Sequence, residues 1–385
     1  MSYKILIVDD EPDLELLVRQ KFRKHIRERK FEFSFAGNGQ EALDKLDQDK
    51  EIDLVLSDIN MPVMDGLTFL GRLEGIERLL KAVIVSAYGD MQNIRTAMNR
   101  GAFDFVTKPI DFDDLEITIN KTIQAINHLK QAERERAQLI SIQQELTVAA
   151  RIQLSILPRS FPPFPERRDF EIFAEILPAK EVGGDFYDFF LIDNDRLGIV
   201  IGDVSGKGVP AAILMAVTRT LLHATALKKS SPNDCMDYVN DILVGQSDPS
   251  MFVTVFYGIL NTRTGELEYC IAGHNPPYVF SAGSVRSLDV PPGRIMGVIP
   301  NSNYRTHQAQ LRAGDTVLLY TDGVTEAINT SDSFFSEERL VEWFQRSGGL
   351  PVEEVVSGLV GEVQAFAGGH AQADDVTVLA IRYLG

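Results

Sequence analysis

Aspartates that could hold a divalent cation occur in two separate parts of this sequence. The first group comprises Asp9, Asp10 and Asp58. The second group, in which each member lies in a Gly-rich or strand-like segment, comprises Asp185, Asp203, Asp322 and Asp374. Clustered carboxylates repel one another, and a buried charge without a partner costs several kcal/mol, so such a site needs a cation. Because oxygen-only ligands favour hard ions such as Mg²⁺ or Mn²⁺, the sequence predicts two Mg²⁺- or Mn²⁺-dependent phosphate sites joined by a helical connector.

The bulk composition excludes several classes of protein. A net charge of −17 argues against nucleic-acid binding, which depends on neutralising phosphates with Lys and Arg. Cys235 and Cys270 form no CxxC motif, so neither a disulfide framework nor a zinc site is expected, and a reducing compartment is indicated. The N-terminus is typical of a strand rather than a signal peptide, and no apolar run approaches the roughly 18 residues that span a bilayer. We therefore expect a soluble, cytoplasmic protein with no membrane partner.

Residues 1–120 alternate short Val/Ile/Leu-rich runs with helical patterns. Continuous apolar runs between helices indicate a parallel sheet covered on both faces, and five βα repeats predict a doubly wound, five-stranded open sheet of the α/β class. Ligands of such sheets gather at the carboxyl ends of the strands. The residues expected at such ends, and so at one edge of the sheet, are Asp9, Asp10, Asp58, Ser86 and Lys108.

The segment 112–157 contains neither Gly nor Pro and predicts one long helix. It carries two apolar seams with spacings near 3.5 residues, separated by the charged stretch 130–136: Ile119, Ile123 and Ile126, then Ile142, Leu146, Ala149 and Ile156. The segment is either a solvated connecting helix or, as we prefer, a homodimeric coiled coil with a local discontinuity. Four prolines in 158–165 end it. The predicted organisation is a domain at 1–120, a helical coiled-coil linker at 121–158 and a second domain at 159–385.

Residues 159–385 group their strand-like runs and their helical patterns separately. This grouping predicts an α+β domain, a layered β-sandwich flanked by helices.

Four segments of the first domain carry a family signature: VDD at 8–10, SDINMP at 57–62, SA at 86–87 and FVTKP at 105–109. Together they resemble the receiver domain of two-component response regulators. The resemblance implies that Asp58 accepts a phosphoryl group as an acyl phosphate. It also implies that Mg²⁺ is held by Asp9, Asp10, Asp58 and the Asn60 carbonyl. A metal suits this chemistry, because a carboxylate attacks an anionic phosphoryl group poorly unless its charge is screened.

Three further residues receive roles from the same resemblance. Lys108 would supply a positive charge for the phosphoryl oxygens, and Ser86 would hydrogen-bond the new phosphate. Phe105 is either a core aromatic residue or the aromatic switch that follows phosphorylation. The sequence contains no histidine box and no ATP-binding Gly-rich motif, so a separate sensor histidine kinase is expected to donate the phosphoryl group.

Five segments of the second domain occur in a family order: VGGDFYDFF, GDVSGKG, AGHNPP, YTDGVTEA and ADDVTVLAI. They resemble the bacterial serine phosphatases of the metal-dependent PP2C (PPM) class, the branch that regulates sporulation and stress sigma factors. The resemblance implies two Mn²⁺ or Mg²⁺ ions. Their ligands would be Asp203, which bridges both, the Val204 carbonyl, Asp185, Asp322 and Asp374. Asp188 and Asp375 are less favoured ligands.

Two such cations, about 4 Å apart, would activate a water and clamp the phosphoryl oxygens. The water would then attack phosphorus in line, without a phosphoenzyme. Lys207 stands where histidine is common in relatives, so the leaving-group acid is open. His274 is either that acid or a structural histidine.

The sequence is therefore interpreted as a response regulator whose phosphorylation at Asp58 controls a serine/threonine phosphatase. The resemblance implies a phosphorylated anti-sigma-factor antagonist, a STAS protein, as substrate in a stress response, and leaves open whether phosphorylation activates or inhibits. The alternative is a non-catalytic adaptor with a decayed phosphatase fold, against which the four retained aspartates argue. A diguanylate-cyclase GGDEF loop is disfavoured because residues 183–187 lack its Glu.

Overall fold

The chain folds into two units, residues Met1–Ile142 and Gln143–Gly385, in a computed structural model. The residues it describes are 2–76, 78–87, 90–228, 231–246, 250–288 and 293–385.

The apolar runs of the first unit form one parallel sheet with the strand order β2-β1-β3-β4-β5. The strands are β1 (Tyr3–Val8), β2 (Phe31–Ala36), β3 (Ile52–Asp58), β4 (Lys81–Ala87) and β5 (Asp104–Lys108). The helices are α1 (Pro12–Lys21), α2 (Arg23–Arg27), α3 (Gly39–Gln48), α4 (Gly66–Leu73), α5 (Met91–Asn99) and α6 (Phe112–Ile156). The predicted doubly wound, five-stranded parallel sheet is confirmed.

Alternate strand residues of this sheet enter two separate cores. Ile5 and Ile7 pack with residues of α1 and α6 on one face. Leu6 and Val8 pack with residues of α3, α4 and α5 on the other. Because both faces are covered, the central strands are largely apolar.

Helix α6 is continuous for 45 residues, as the absence of Gly and Pro predicts. Its first turns are held by buried Leu115, Ile119, Ile123 and Ile126. Residues 131–145 are exposed on every side within the chain, and the side chain of Ile142 is 46% exposed. The predicted pairing of this helix with a second copy stays a prediction.

The second unit contains two antiparallel sheets with the orders β13-β10-β9-β8-β7 and β12-β11-β14-β15-β6. Its strands are β6 (Phe170–Leu177), β7 (Phe186–Leu191), β8 (Arg196–Val204), β9 (Val253–Asn261), β10 (Glu266–Ala272), β11 (Tyr278–Ser281), β12 (Ser284–Ser287), β13 (His307–Gln310), β14 (Thr316–Tyr320) and β15 (Val376–Tyr383). Its helices are α7 (Val209–Ala226), α8 (Pro232–Gln246), α9 (Asp322–Thr325), α10 (Ser336–Ser347) and α11 (Val352–Ala367).

These elements form four layers. Helices α7 and α8 pack on the first sheet, and the inner faces of both sheets share one core with them. Helices α10 and α11 cover the outer face of the second sheet through a second core. The expected layered β-sandwich flanked by helices is confirmed.

Helix α7 is long and apolar enough, by length and composition, to cross a membrane, with 18 residues and a mean hydropathy of 1.3. The expectation that no segment reaches this length is therefore wrong. In the structure Ala211, Met215 and Leu222 of α7 lie in the core shared by the two sheets. A core helix passes the same test of length and composition.

Candidate functional site

The aspartates predicted to bind metal in the first unit lie at the carboxyl edge of its sheet. Asp9 follows β1 directly, Asp58 is the last residue of β3, and Lys108 is the last residue of β5. Parallel strands bring these ends together. Ligand oxygens of Asp9, Asp10 and Asp58 all lie within 4.8 Å of one another.

Lys108 connects this cluster of carboxylates. Its Nζ lies 2.7 Å from Asp58 Oδ2, 3.0 Å from Asp9 Oδ2 and 2.9 Å from Glu11 Oε1. The sequence interpretation missed Glu11, although it is a third consecutive acidic residue after β1. Backbone N–H of Asn60 is directed at Asp58 Oδ1, at 3.4 Å.

The charges of this cluster fit a cation. Burial raises the pKa of Asp9, and the neighbouring charge of Asp58 adds to this, while a backbone hydrogen bond and Lys108 act in the opposite direction. Burial alone would lower the pKa of Lys108, but its hydrogen bonds to Asp58, Glu11 and Asp9 outweigh burial and raise it. One ammonium group therefore faces several carboxylates, and an all-oxygen donor set suits Mg²⁺.

Ser86 and Phe105 differ in how they are placed. Val85 pairs with Asp58 in the register of β3 and β4, so Ser86 follows directly beside the aspartate. Ser86 Oγ is buried and has no hydrogen-bond partner among the described residues. The Phe105 ring is 38% exposed, so its interpretation as a core residue is wrong, and its switch role stays a prediction.

Gly66 closes the loop after Asp58. Its N–H donates to the Ile59 carbonyl at 2.9 Å. A Cβ at position 66 would lie 2.0 Å from the Asp58 carbonyl oxygen, so only glycine allows this approach. The sequence interpretation did not single out Gly66, although its Asp-Gly pair is a turn signal.

The four aspartates of the second unit come from strand ends and loops of both sheets. Asp185 precedes β7, and Asp203 lies near the end of β8. The antiparallel register pairs Phe186 with Gly202, which brings these two aspartates together. In the other sheet Asp322 is the first residue of α9, and Asp374 precedes β15.

Two threonines hold the Asp185 carboxylate. Asp185 Oδ2 accepts hydrogen bonds from Thr321 Oγ1 at 2.7 Å and Thr377 Oγ1 at 2.6 Å. Both threonines belong to the second sheet or its edge, so Asp185 is fixed from the sheet opposite its own. The sequence interpretation missed both, and their only signal is that each lies within three residues of a predicted ligand.

Burial and mutual repulsion dominate the electrostatics of these carboxylates. Burial, followed by the charges of Asp322, Asp374 and Asp375, raises the pKa of Asp203 to about 7. Burial, followed by Asp203 and Asp375, raises the pKa of Asp185 well above its ordinary value. Burial and then Glu326 and Asp374 raise the pKa of Asp322. Cations would relieve this repulsion, so the donor set fits hard divalent metals.

The four aspartates are more widely spaced than the first cluster. Within the described part of the chain, only Asp9, Asp10 and Asp58 bring three carboxylate ligand atoms within 4.8 Å of one another. Asp185, Asp203, Asp322 and Asp374 would hold divalent cations from more widely separated positions than the first cluster does.

Gly184 leaves the Val204 carbonyl uncovered. A Cβ at position 184 would lie 2.6 Å from Val204 O and 3.4 Å from Asp203 Oδ1. The predicted carbonyl ligand and the predicted bridging carboxylate therefore face the same point of the backbone.

The two less favoured ligands use their carboxylates elsewhere. Asp375 accepts hydrogen bonds from the N–H groups of Ala179 at 2.8 Å and Gly184 at 2.7 Å, so it holds the loop before β7. Asp188 accepts from Arg219 Nη2 at 3.0 Å, and its Oδ2 lies 2.7 Å from His223 Nδ1. Asp188 thus anchors α7 rather than joining the array.

His274 and Lys207 have different surroundings. Burial lowers the pKa of His274 to about 4, and its Nδ1 lies 3.0 Å from Thr254 Oγ1. A buried imidazole that is neutral at pH 7 favours the structural alternative over the leaving-group acid. The ammonium group of Lys207 is partly exposed and lies 3.0 Å from Asp374 Oδ2.

Two family models match the chain. The one described as "Response regulator receiver domain" matches residues 5–120. The one described as "Stage II sporulation protein E (SpoIIE)" matches residues 193–384. The second match includes Asp203, Asp322 and Asp374, whereas Asp185 lies before it.

Curated relatives and a solved structure extend these matches. Protein IcfG of Synechocystis sp. is 30% identical over 296 residues, which cover 70% of this chain and 46% of that protein, so the chain spans about half of this relative. Phosphoserine phosphatase RsbU of Bacillus subtilis is 26% identical over 275 residues, which cover 70% of this chain and 80% of that protein. The SiaA-PP2C domain of Pseudomonas aeruginosa superposes with a TM-score of 0.57 at 23% identity, covering 64% of this chain and 99% of that domain, a likeness of fold.

Proposed function

Because the chain belongs to the response regulator receiver family in its N-terminal unit and to the SpoIIE/PP2C-type phosphatases in its C-terminal unit, we propose that phosphorylation of Asp58 controls a metal-dependent protein serine/threonine phosphatase. The observation that carries the proposal is the convergence of four carboxylates, of which Asp185 is buried and Asp203, Asp322 and Asp374 are half-buried. Burial, and then the charges of neighbouring carboxylates, raise the pKa values of Asp185, Asp203 and Asp322. A decayed, non-catalytic adaptor would have no reason to retain such an unfavourable array.

In the receiver domain, Asp58 is the proposed phosphoacceptor. Mg²⁺ bound by Asp9, Asp10, Asp58 and the Asn60 carbonyl would screen the charge between the carboxylate and the phosphoryl group. Lys108, 2.7 Å from Asp58 Oδ2, would transfer its contact to a phosphoryl oxygen. Ser86 Oγ, buried and without a partner among the described residues, would donate to another. Phe105 would then move in response.

In the phosphatase domain, two Mn²⁺ or Mg²⁺ ions would be held by Asp185, Asp203, the Val204 carbonyl, Asp322 and Asp374. When bound, they would supply an activated water and neutralise charge on the phosphoryl group. Thr321 and Thr377 keep the Asp185 carboxylate in position for this role. Asp375 does the same for the loop that carries Asp185.

The proposed organisation is a receiver domain at 1–120, a coiled-coil linker at 121–158 that forms a homodimer, and a phosphatase domain at 159–385. A receiver domain requires a phosphoryl donor, here a sensor histidine kinase. The name of RsbU, a phosphoserine phosphatase, supports a phosphoserine substrate. We propose a phosphorylated anti-sigma-factor antagonist of the STAS type, in a cytoplasmic stress response.

The deciding experiment measures phosphate release from a phosphorylated STAS protein by the full chain, with and without acetyl phosphate. We expect release that requires Mn²⁺ or Mg²⁺, stops with EDTA, and changes in rate when Asp58 is phosphorylated. The matched variants are Asp203→Asn, which should abolish release, and Asp58→Ala, which should remove only the response to acetyl phosphate. Activity that persists in EDTA would contradict the metal assignment, and binding of the STAS protein without turnover would favour the adaptor.

A further inference from the structure

A cleft beside the candidate metal centre is lined, apart from Asp374, by residues that have no proposed role in binding metal. It lies between α9, the C-terminal part of α11 and the segment 369–374, and its volume is about 420 Å³, within the range of roughly 300–1,000 Å³ for ligand pockets. Asp374, Lys207 and Gly323 belong to its lining. The cleft is therefore continuous with the residues proposed to hold metal.

The rest of the lining is largely apolar. Val360 and Val363 of α11 and Val376 of β15 contribute from the core of the second sheet. Phe334, 57% exposed, lies at the surface of the cleft. It pairs with Ile328 across a short hairpin.

Both walls of the cleft are fixed by hydrogen bonds. On the hairpin side, Asn329 Oδ1 accepts from the N–H groups of Ser331 at 2.9 Å and Ser333 at 3.0 Å. On the other side, Gln372 Nε2 donates to the carbonyls of Leu177 and Asp374, each at 2.7 Å. The walls of the cleft are thus held in place by hydrogen bonds within the chain, which lowers the entropic cost of binding a ligand.

We propose that this cleft binds an apolar side chain of the phosphoprotein substrate, next to the phosphoserine. The inference rests on the proposed phosphatase function and names the sequence that the phosphatase selects. Lys207, 3.0 Å from Asp374 Oδ2, places a positive charge where a phosphate would approach the metal centre, and the apolar lining begins beside it. Because an extended peptide rises about 3.3 Å per residue, the selected side chain lies within about three residues of the phosphoserine.

The test uses the full chain with Mn²⁺ and three substrates. These are p-nitrophenyl phosphate and two phosphoserine peptides, which carry either Leu or Ala at the three positions on each side of the phosphoserine. We expect kcat/KM to be about tenfold higher for the Leu peptide, from burial of one aliphatic side chain. Phe334→Glu and Ala371→Trp should each abolish this preference and leave p-nitrophenyl phosphate hydrolysis unchanged.

The matched control is Leu227→Glu, which changes a side chain that is 50% exposed and lies outside the cleft lining. This variant should keep the preference for the Leu peptide. If wild type hydrolyses p-nitrophenyl phosphate but does not discriminate the peptides, or if both cleft variants keep the preference, the cleft assignment is overturned and the phosphatase stands.

If no substrate is hydrolysed, the proposed function fails instead. Fluorescence anisotropy of the labelled Leu peptide then tests the cleft separately. Weaker binding by Phe334→Glu than by Leu227→Glu supports the cleft, and equal binding overturns it.

Discussion

Replacing Asp203 with asparagine should stabilise the metal-free second unit at alkaline pH and remove its stabilisation by Mn²⁺. Burial and the neighbouring charges of Asp322 and Asp374 raise the pKa of Asp203 from 3.8 to about 7. The folded state therefore binds this proton more tightly than the unfolded state, and stability falls as pH rises between these values. At about 1.4 kcal/mol per pH unit, the full penalty above pH 7 is roughly 4 kcal/mol.

Asparagine removes the charge but leaves the other carboxylates, which still repel one another. We therefore expect Asp203→Asn to raise the free energy of unfolding by about 2 kcal/mol at pH 8 and to leave it almost unchanged at pH 4. Trp343 in α10 is the only tryptophan of the chain, and it packs against the core of the second sheet. Its fluorescence during urea denaturation in EDTA thus reports the second unit alone.

In Mn²⁺, wild type should become more stable than Asp203→Asn, because metal binding raises the free energy of unfolding of wild type but not that of the variant. The reasoning is refuted if Asp203→Asn in EDTA is no more stable than wild type at pH 8. It is equally refuted if Mn²⁺ stabilises both proteins to the same extent.

Three further predictions test the remaining proposals. Asp58→Ala should not take up an acid-labile phosphoryl group from acetyl phosphate, yet should keep the Mn²⁺ response of Trp343; labelling of this variant would mean that another residue is the acceptor. Gly184→Ala should lose about 1–3 kcal/mol of stability and the Mn²⁺ response, because its methyl group would lie 2.6 Å from Val204 O. Its control, Gly361→Ala in open space on α11, should instead gain up to about 1 kcal/mol, as measured by urea denaturation. Two residues inserted within 130–136 should rotate the helical phase by about 200° and uncouple phosphatase activity from Asp58 phosphorylation, whereas seven residues, about two turns, should preserve coupling. A two-residue variant that still responds, or an intact protein that is monomeric by light scattering in both states, would contradict the dimer mechanism.

The sequence predicted those features that follow from regular repetition. Parallel strands must end at one edge, so the positions of Asp9, Asp58 and Lys108 followed from counting strands. The long helix followed from the absence of Gly and Pro. The candidate ligands of the second unit had a different source, namely the resemblance of its ordered motifs to a phosphatase family.

The missed features depend on contacts between distant segments. Thr377 and Asp185 are 192 residues apart, and no local pattern pairs a hydroxyl with a particular carboxylate at that separation. The same holds for Asp188, whose partners Arg219 and His223 lie on a different element. Glu11 was missed for another reason, since an exposed acidic residue at a helix start is ordinarily explained by the helix dipole.

The exposed middle of α6 determines whether the two units of the chain unfold together or separately. Residues 131–145 have no buried side chain within the chain, although Gln143 Nε2 donates a hydrogen bond to Glu181 Oε1 at 2.7 Å. A helix of about this length that buries no side chain is marginal in water. In a monomeric chain, backbone amides of this stretch should therefore exchange hydrogen far faster than those of Ile119 or Ile123. The two units should also unfold at separate midpoint temperatures. A second helix packed along the stretch would slow that exchange and make the unfolding of one unit depend on the other.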